Sequence, residues 1–164
     1  MKKDHILPMA KESPSYALVL AGGMGERLWP ATADRPKPMV ELQGKPLLAY
    51  HLEWLKVNGV RHIILLTGYL HEVVRDYFGN GGALGVELQY LVEDQPLGRG
   101  GALRRGLEGL PPEVDTVVAS NGDVLTTQSL VPLAKLHYAN PGTLATIMLT
   151  RMPSPFGMLD VARD

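Results

Sequence analysis

The stretch YALVLAGGMGERLWPATADRPKPM, residues 16–39, joins a short apolar run to a segment that cannot continue it. The apolar run Tyr16–Leu20 is typical of a buried strand. The segment after it holds three closely spaced glycines and then prolines at positions 30, 36 and 38. Glycine adds backbone freedom and proline removes a hydrogen-bond donor, so neither helix nor strand persists there. We therefore predict a loop directly after the first strand.

Apolar runs alternate with amphipathic segments along the rest of the chain. Most of the runs are apolar at successive positions, as expected where helices cover both faces of a parallel sheet. The pattern predicts strands at residues 16–20, 61–67, 86–92, 116–120 and 143–150. It predicts helices at residues 46–58, 73–78, 101–110 and 129–138. This order indicates an α/β fold with a doubly wound, mostly parallel sheet, in which ligands bind beyond the carboxyl ends of the strands.

Composition limits the kind of protein. A chain of 164 residues with 45% hydrophobic residues can bury one ordinary core. A net charge of −1 argues against a broad surface for nucleic acid or for an anionic membrane. The chain has no cysteine, which suits a reducing compartment, and no apolar run of membrane-spanning length. We expect a flexible tail at residues 1–15 and one cytoplasmic domain at 16–164.

The glycines of the opening loop fit neither of two common phosphate-binding motifs. A dinucleotide fingerprint counted from Gly23 would need a third glycine where Leu28 stands, and a P-loop ending at residues 44–46 would need Ser or Thr in place of proline. What remains is a glycine turn whose N–H groups can approach a phosphate, followed by the cations Arg27 and Lys37. Gly23 is expected to leave room for the phosphates and to adopt a positive φ.

Three segments in fixed order carry a family resemblance. LAGGMGERLWP at 20–30, PKPM at 36–39 and GKP at 44–46 together resemble the signature of the sugar-1-phosphate nucleotidyltransferases, also called nucleotide-sugar pyrophosphorylases. The resemblance implies a Rossmann-like nucleotidyltransferase fold. It also implies that Arg27 and Lys37 hold the triphosphate and the departing pyrophosphate. Arg35 matches no position of the signature and is interpreted as a solvated loop charge.

A second glycine-rich segment, PLGRGGAL at 96–103, follows the strand that ends near Val92 and opens a helix. It is similar to the family's P-L-G-T-A-G-A-L segment, which contacts base and ribose, although Arg99 and Gly100 replace the commoner Thr and Ala. Glu93 stands where some relatives carry a base-reading side chain, and a solvated charge explains it equally well. The nucleotide-binding residues that the resemblance implies are Ala21, Gly22, Gly23, Gly25, Glu93, Gly98 and Gly101.

A turn of sequence Asn-Gly-Asp, residues 121–123, follows the fourth predicted strand. Asp in a turn often only caps its own backbone, but this turn resembles the family's N-G-D motif, whose Asp binds magnesium. A carboxylate that holds Mg²⁺ against phosphate oxygens suits phosphoryl chemistry. We therefore expect Mg²⁺ as cofactor, bound at Asp123. Gly157 matches the family's sugar-contacting turn.

The remaining aromatic and histidine side chains carry weaker signals. Trp29, Trp54 and Tyr69 are interpreted as packing residues, although Trp29 after Leu28 is a variant found in relatives that use guanine. The five histidines show no metal-ligand spacing on a common face, so none is assigned a functional role.

The resemblance implies that an NTP and a sugar 1-phosphate react to give an NDP-sugar and pyrophosphate. GTP with mannose 1-phosphate or a heptose 1-phosphate is favoured over uridine or thymidine nucleotides with glucose 1-phosphate. A non-catalytic nucleotide-binding regulatory domain and a redox enzyme with an altered Rossmann loop stay open as alternatives, as does assembly into a homo-oligomer. The family's downstream E-K-P segment and second metal-binding Asp do not occur before Asp164. We therefore expect a domain that is truncated at its C-terminus, binds Mg-NTP and turns over sugar phosphates poorly.

Overall fold

A four-stranded parallel sheet forms the centre of the computed structural model, which describes residues 13–150. The strands are β1 (Tyr16–Leu20), β2 (Glu41–Leu42), β3 (Lys45–Pro46), β4 (His62–Thr67), β5 (Glu87–Val92) and β6 (Val118–Asn121). The helices are α1 (Leu47–Val57), α2 (His71–Phe78), α3 (Gly98–Glu108) and α4 (Val131–Tyr138). The strand order in the main sheet is β5-β4-β1-β6, and every neighbouring pair is parallel.

Successive residues of β1 point to opposite faces of the sheet, and each face has its own core. Val19 packs with Leu52 of α1 in the larger core. Leu18, its neighbour, packs with Leu66 of β4 and Ala102 of α3 in the smaller one. Both faces of the sheet are therefore covered by helices, which is why the strands read as continuous apolar runs. The predicted doubly wound α/β fold is confirmed.

A glycine lets helix α3 pack directly on the sheet. A Cβ built on Gly106 would lie 3.0 Å from Leu66 Cδ2 and 3.2 Å from Leu18 Cδ1. The missing side chain lets the helix rest directly on these two leucines, and a larger residue would have to push them aside.

The carboxyl ends of the strands meet at one edge. Leu20 pairs with Leu66 on one side and with Asn121 on the other, and Thr67 pairs with Val92. The loops that follow β1, β4, β5 and β6 therefore leave the sheet side by side. Neighbouring strands are about 4.8 Å apart, so this edge spans roughly 14 Å from β5 to β6.

The sequence analysis missed the small hairpin of β2 and β3. Glu41 pairs with Pro46 and Leu42 with Lys45, so the turn has two residues. Gln43 and Gly44 have φ values of 54° and 75°, as a type I′ turn requires. Gln-Gly is a weaker signal for this turn than Asn-Gly, and each strand has only two residues, which is too short for a recognisable pattern.

The predicted strand at 143–150 is wrong for the described structure, in which that segment joins no sheet. Leu144 is 99% exposed, Ile147 75% and Leu149 87%. An apolar run is a local property, whereas a strand needs a partner, and no strand within residues 13–150 pairs with this one. The predicted helix at 101–110 is correct in type but starts earlier, at Gly98.

The N-terminal boundary can be described only in part. Most of the predicted tail lies outside the described residues, but the Ser15 carbonyl accepts hydrogen bonds from the backbone N–H groups of Arg61 and His62 at 2.9 and 3.1 Å. Within the part of the chain that the structure describes, no helix has the length and apolar character needed to span a membrane. The cytoplasmic location and the domain limits stay predictions.

Candidate functional site

The loop after β1 is anchored to the sheet at its first two residues. The Ala21 N–H donates to the Leu66 carbonyl at 2.8 Å, and the Ala21 side chain is 1% exposed. A Cβ on Gly22 would lie 3.1 Å from the backbone nitrogen of Gly68. Ala21 therefore has only its backbone to offer a ligand, and Gly22 is small because the chain after β4 passes close to it.

The glycine that needs a special backbone conformation is Gly25, and the positive φ predicted for Gly23 is wrong. Gly25 has φ 70°, and a Cβ there would lie 2.8 Å from Lys37 Cβ. Thr32 secures the fold of the loop by donating from its hydroxyl to the Gly25 carbonyl at 3.0 Å. Gly23 lies outside the left-handed region, and a Cβ there would meet nothing within 4 Å among the described residues. Gly23 thus borders open space, which agrees with its predicted role of leaving room.

Lys37 lies at the base of this loop and points across the strand ends to Asp123. Its backbone N–H donates to the Gly23 carbonyl at 3.2 Å, and its prolines on either side are buried. Its ammonium Nζ lies 2.5 Å from Asp123 Oδ2, with the two side chains 37% and 23% exposed. The predicted phosphate-binding cation and the predicted metal ligand, 86 residues apart in the sequence, are therefore in direct contact.

The turn that carries Asp123 passes tightly over the end of β1. The Gly122 N–H donates to the Leu20 carbonyl at 2.9 Å, and a Cβ on Gly122 would lie 2.9 Å from Leu48 Cδ1. His51 of α1 is 1% exposed and contacts the chain on both sides of this turn. The sequence analysis assigned His51 no role. Its spacing was a usable signal, because a residue three after Leu48 lies on the same buried face of α1.

The segment between β5 and α3 forms the other end of the edge. The Glu93 N–H donates to the Thr67 carbonyl at 2.8 Å, and the Glu93 carboxylate accepts from the Leu97 N–H at 3.4 Å. Gly98 has φ 69° and opens α3 with its Cα facing open space. A Cβ on Gly101 would lie 2.8 Å from Leu97 Cβ. Glu93 therefore shapes its own loop, and whether it also reads a base stays a prediction.

Other residues predicted for the site do not contact Lys37 or Asp123. Arg27 is exposed and has no hydrogen bond or ion pair with residues 13–150. Trp29 is 68% exposed, so its predicted packing role is wrong. Arg35 bonds Asp34 at 2.9 Å and contacts Glu41 at 3.2 Å, and its hydrogen bond lowers the pKa of the Asp34 carboxyl. Gly157 lies outside the described residues.

The site suits a divalent cation that is bound partly by substrate phosphates. Among residues 13–150, no group of three or more His, Cys, Asp or Glu side chains could hold a metal ion. Asp123 offers one carboxylate at the strand edge. Mg²⁺ is commonly bound by one or two carboxylates together with substrate phosphates rather than by an all-protein cage. The chemistry of Asp123 therefore suits Mg²⁺ that arrives with a nucleotide.

Several proteins of known activity are similar to this chain. Over 139 residues, the chain is 39% identical to mannose-1-phosphate guanylyltransferase of Mycobacterium tuberculosis, covering 85% of this chain and 38% of that protein. Over 137 residues it is 37% identical to D-glycero-alpha-D-manno-heptose 1-phosphate guanylyltransferase of Aneurinibacillus thermoaerophilus, covering 84% and 57%. The crystal structure of HddC from Yersinia pseudotuberculosis complexed with GMP-PN superimposes with a TM-score of 0.59 at 34% identity, covering 66% of this chain and 48% of that one.

The chain spans 38% and 57% of the lengths of the two curated relatives, so it corresponds to a part of each. The family model described as "Nucleotidyl transferase" matches residues 16–163, which is nearly the whole sequence. The glycine loop, the lysine between prolines and the Asn-Gly-Asp turn that the sequence analysis singled out all lie within that match. On this evidence the chain belongs to the nucleotidyl transferase family.

Proposed function

We propose that this chain forms the nucleotide-binding part of an enzyme that joins an NTP to a sugar 1-phosphate and releases pyrophosphate. One observation carries the proposal: Lys37 Nζ lies 2.5 Å from Asp123 Oδ2, at the edge where the glycine loop leaves β1. A phosphate-binding cation and a metal-binding carboxylate at one point are what a triphosphate with its metal ion requires.

The layout of the edge suggests how the nucleotide lies. Lys37 and Asp123 lie beyond β1 and β6, whereas Glu93 and Gly98 lie beyond β5. The roughly 14 Å between these two ends is a length that an extended nucleotide can span. We place the phosphates over β1 and β6, and the base and ribose near the start of α3. The exposed guanidinium of Arg27 is free to turn toward the outer phosphates.

The proposed reaction is a direct displacement at the α phosphorus. An oxygen of the sugar phosphate attacks this atom, the bond to the bridging oxygen of the β phosphate breaks, and pyrophosphate leaves with the electron pair. A phosphate monoester has a second pKa near 6, so the nucleophile is already an anion at neutral pH and needs no general base. Lys37 and Arg27 offset the repulsion between the two polyanions, and the glycine N–H groups orient the triphosphate. Bound Mg²⁺ would supply further charge neutralisation at the phosphate oxygens.

Guanine is the proposed base, and mannose 1-phosphate or a heptose 1-phosphate the proposed acceptor. Both curated relatives described above are guanylyltransferases, one for each sugar. Trp29 gives weaker support: it is 68% exposed beside the glycine loop and so is available to a ligand rather than used in the core.

The test is a binding panel of GTP, UTP, dTTP and ATP by isothermal titration calorimetry, each with and without Mg²⁺, followed by pyrophosphate release with the sugar 1-phosphates. We expect GTP to bind most tightly, Mg²⁺ to strengthen its binding and Asp123→Asn to remove most of that strengthening. Binding of NADH, but of none of the four triphosphates, would contradict the proposal. Full Mg²⁺ dependence in folded Asp123→Asn would contradict the metal role alone.

A further inference from the structure

The position of Asp123 depends on the turn that carries it. Within the described residues, Asn121 pairs with Leu20 of β1, the Gly122 N–H donates to the Leu20 carbonyl, and the Val124 N–H closes the turn onto the Asn121 carbonyl at 3.3 Å. The Asp123 side chain contacts Lys37. The Lys37 ammonium has three N–H donors, so a bound phosphate would share or replace its contact with Asp123. A contact that does not involve Lys37 would hold the turn in either case.

His51 meets the chain on both sides of this turn. Its ring nitrogen Nδ1 lies 3.0 Å from the Val124 carbonyl oxygen, and Nε2 lies 2.8 Å from Ser120 Oγ. A carbonyl can only accept, so Nδ1 carries the proton, and Nε2 accepts from the serine hydroxyl. The residues it bonds, at positions 120 and 124, bracket the turn directly.

The His51 ring is firmly seated. It is 1% exposed, and it belongs to α1, whose neighbouring Leu48 and Leu52 are fully buried in the larger core. Burial lowers the pKa of His51, while the Val124 carbonyl and the charge of Asp123 act in the opposite direction. A neutral ring offers one donor and one acceptor, which matches the two partners it has.

We infer that His51 is a positioning residue, which clamps the Asn121–Asp123 turn from both sides and so fixes where the Asp123 carboxylate meets the metal ion of a bound nucleotide. The inference rests on the proposed metal role of Asp123. It explains a polar ring in the apolar face of α1, where a leucine would otherwise pack without the need for two partners. Residues that orient a metal ligand typically change metal affinity 10- to 100-fold when they are lost.

The experiment measures GTP affinity by calorimetry with Mg²⁺ and with EDTA, and reports the ratio of the two. We expect His51→Leu to lower that ratio about tenfold while the affinity in EDTA stays within about twofold. His51→Asn retains a donor near the position of Nδ1 and should recover part of the ratio. Ser120→Ala removes only the other contact and should give an intermediate ratio. The last two variants keep the test decisive if His51→Leu fails to fold.

Tyr50→Phe is the matched control. Tyr50 is also on α1 and donates from its hydroxyl to the Leu42 carbonyl at 2.9 Å, in the β2–β3 hairpin rather than beside the Asp123 turn. It should leave the ratio unchanged. A parental ratio in folded His51→Leu, or an equal fall of both affinities in His51→Leu and Tyr50→Phe, would overturn the positioning role. If Asp123→Asn leaves the ratio unchanged, the proposed metal role fails first, and this inference falls with it.

Discussion

Replacing Lys37 by methionine should shift two affinities in opposite directions. The variant keeps the Cβ and Cγ atoms that lie beside Gly25 and removes the charge that contacts Asp123. An ion pair between partly exposed side chains contributes about 1 kcal/mol. Metal binding to Asp123 no longer competes with that contact, so the affinity for Mn²⁺ alone should rise about fivefold. Loss of a charge-assisted bond to phosphate costs ~1.5–3 kcal/mol, which weakens GTP binding roughly tenfold to a hundredfold.

Two titrations separate these effects: Mn²⁺ without nucleotide, followed by electron paramagnetic resonance, and GTP with Mg²⁺, followed by calorimetry. Lys45→Met is the control, because Lys45 Nζ lies at the same 2.5 Å from Glu53 Oε2 and its loss changes the net charge equally. The control should leave both affinities nearly unchanged. If Lys37→Met binds Mn²⁺ no better than the parent, Lys37 does not compete for the proposed metal ligand, and the reasoning fails.

Three further outcomes are expected. Gly25→Ala should lower the free energy of unfolding by at least about 1 kcal/mol in urea titrations, because it forces a side chain into a left-handed φ and toward Lys37. Gly23→Ala should have the parent's free energy of unfolding and a weaker affinity for GTP. Equal stability of the two variants would contradict this expectation. Trp29→Ala should change stability by less than about 0.5 kcal/mol, as exposed positions do, and a larger loss would mean that the ring packs. Burial holds the pKa of His51 below its ordinary value of about 6.5, so just below that pH the unfolded chain binds more protons than the folded chain. The free energy of unfolding of the parent should therefore fall between pH 7 and pH 5 more than that of His51→Asn. Parallel pH profiles of the two proteins would refute the buried, neutral state of His51.

The fold could be predicted from the sequence where the signal was local and repeated. The run Tyr16–Leu20 was predicted to the residue, and α4 within two residues of its start, because their apolar patterns agree with the contacts they make in the fold. The segment 143–150 has the same apolar character and is not a strand in the described structure. What it lacks there is a pairing partner, and a single segment carries no information about that.

The candidate site shows the same division. Lys37 and Asp123 were identified separately, each from its motif, but their contact depends on the parallel register of β1 and β6, which no motif reports. The positive φ of Gly25 was predicted for Gly23 instead. A sequence does not distinguish a glycine required for its backbone conformation from one required because a side chain would block a ligand. His51 was overlooked because its partners lie about 70 residues away, at Ser120 and Val124.

The contact of Gly106 with the sheet lets packing near the C-terminal end of α3 affect the position of its N-terminal end. Gly106 lies eight residues from Gly98, about 12 Å along the helix axis, and it packs directly on Leu18 and Leu66. A change in the volume of either leucine would tilt the helix and displace its far end, although no atom near that end had been altered. If the start of α3 holds the base, as we propose, substitutions in the smaller core should change the selectivity for the base. A search for the origin of such a difference should include the positions beneath α3 as well as those that line the strand edge.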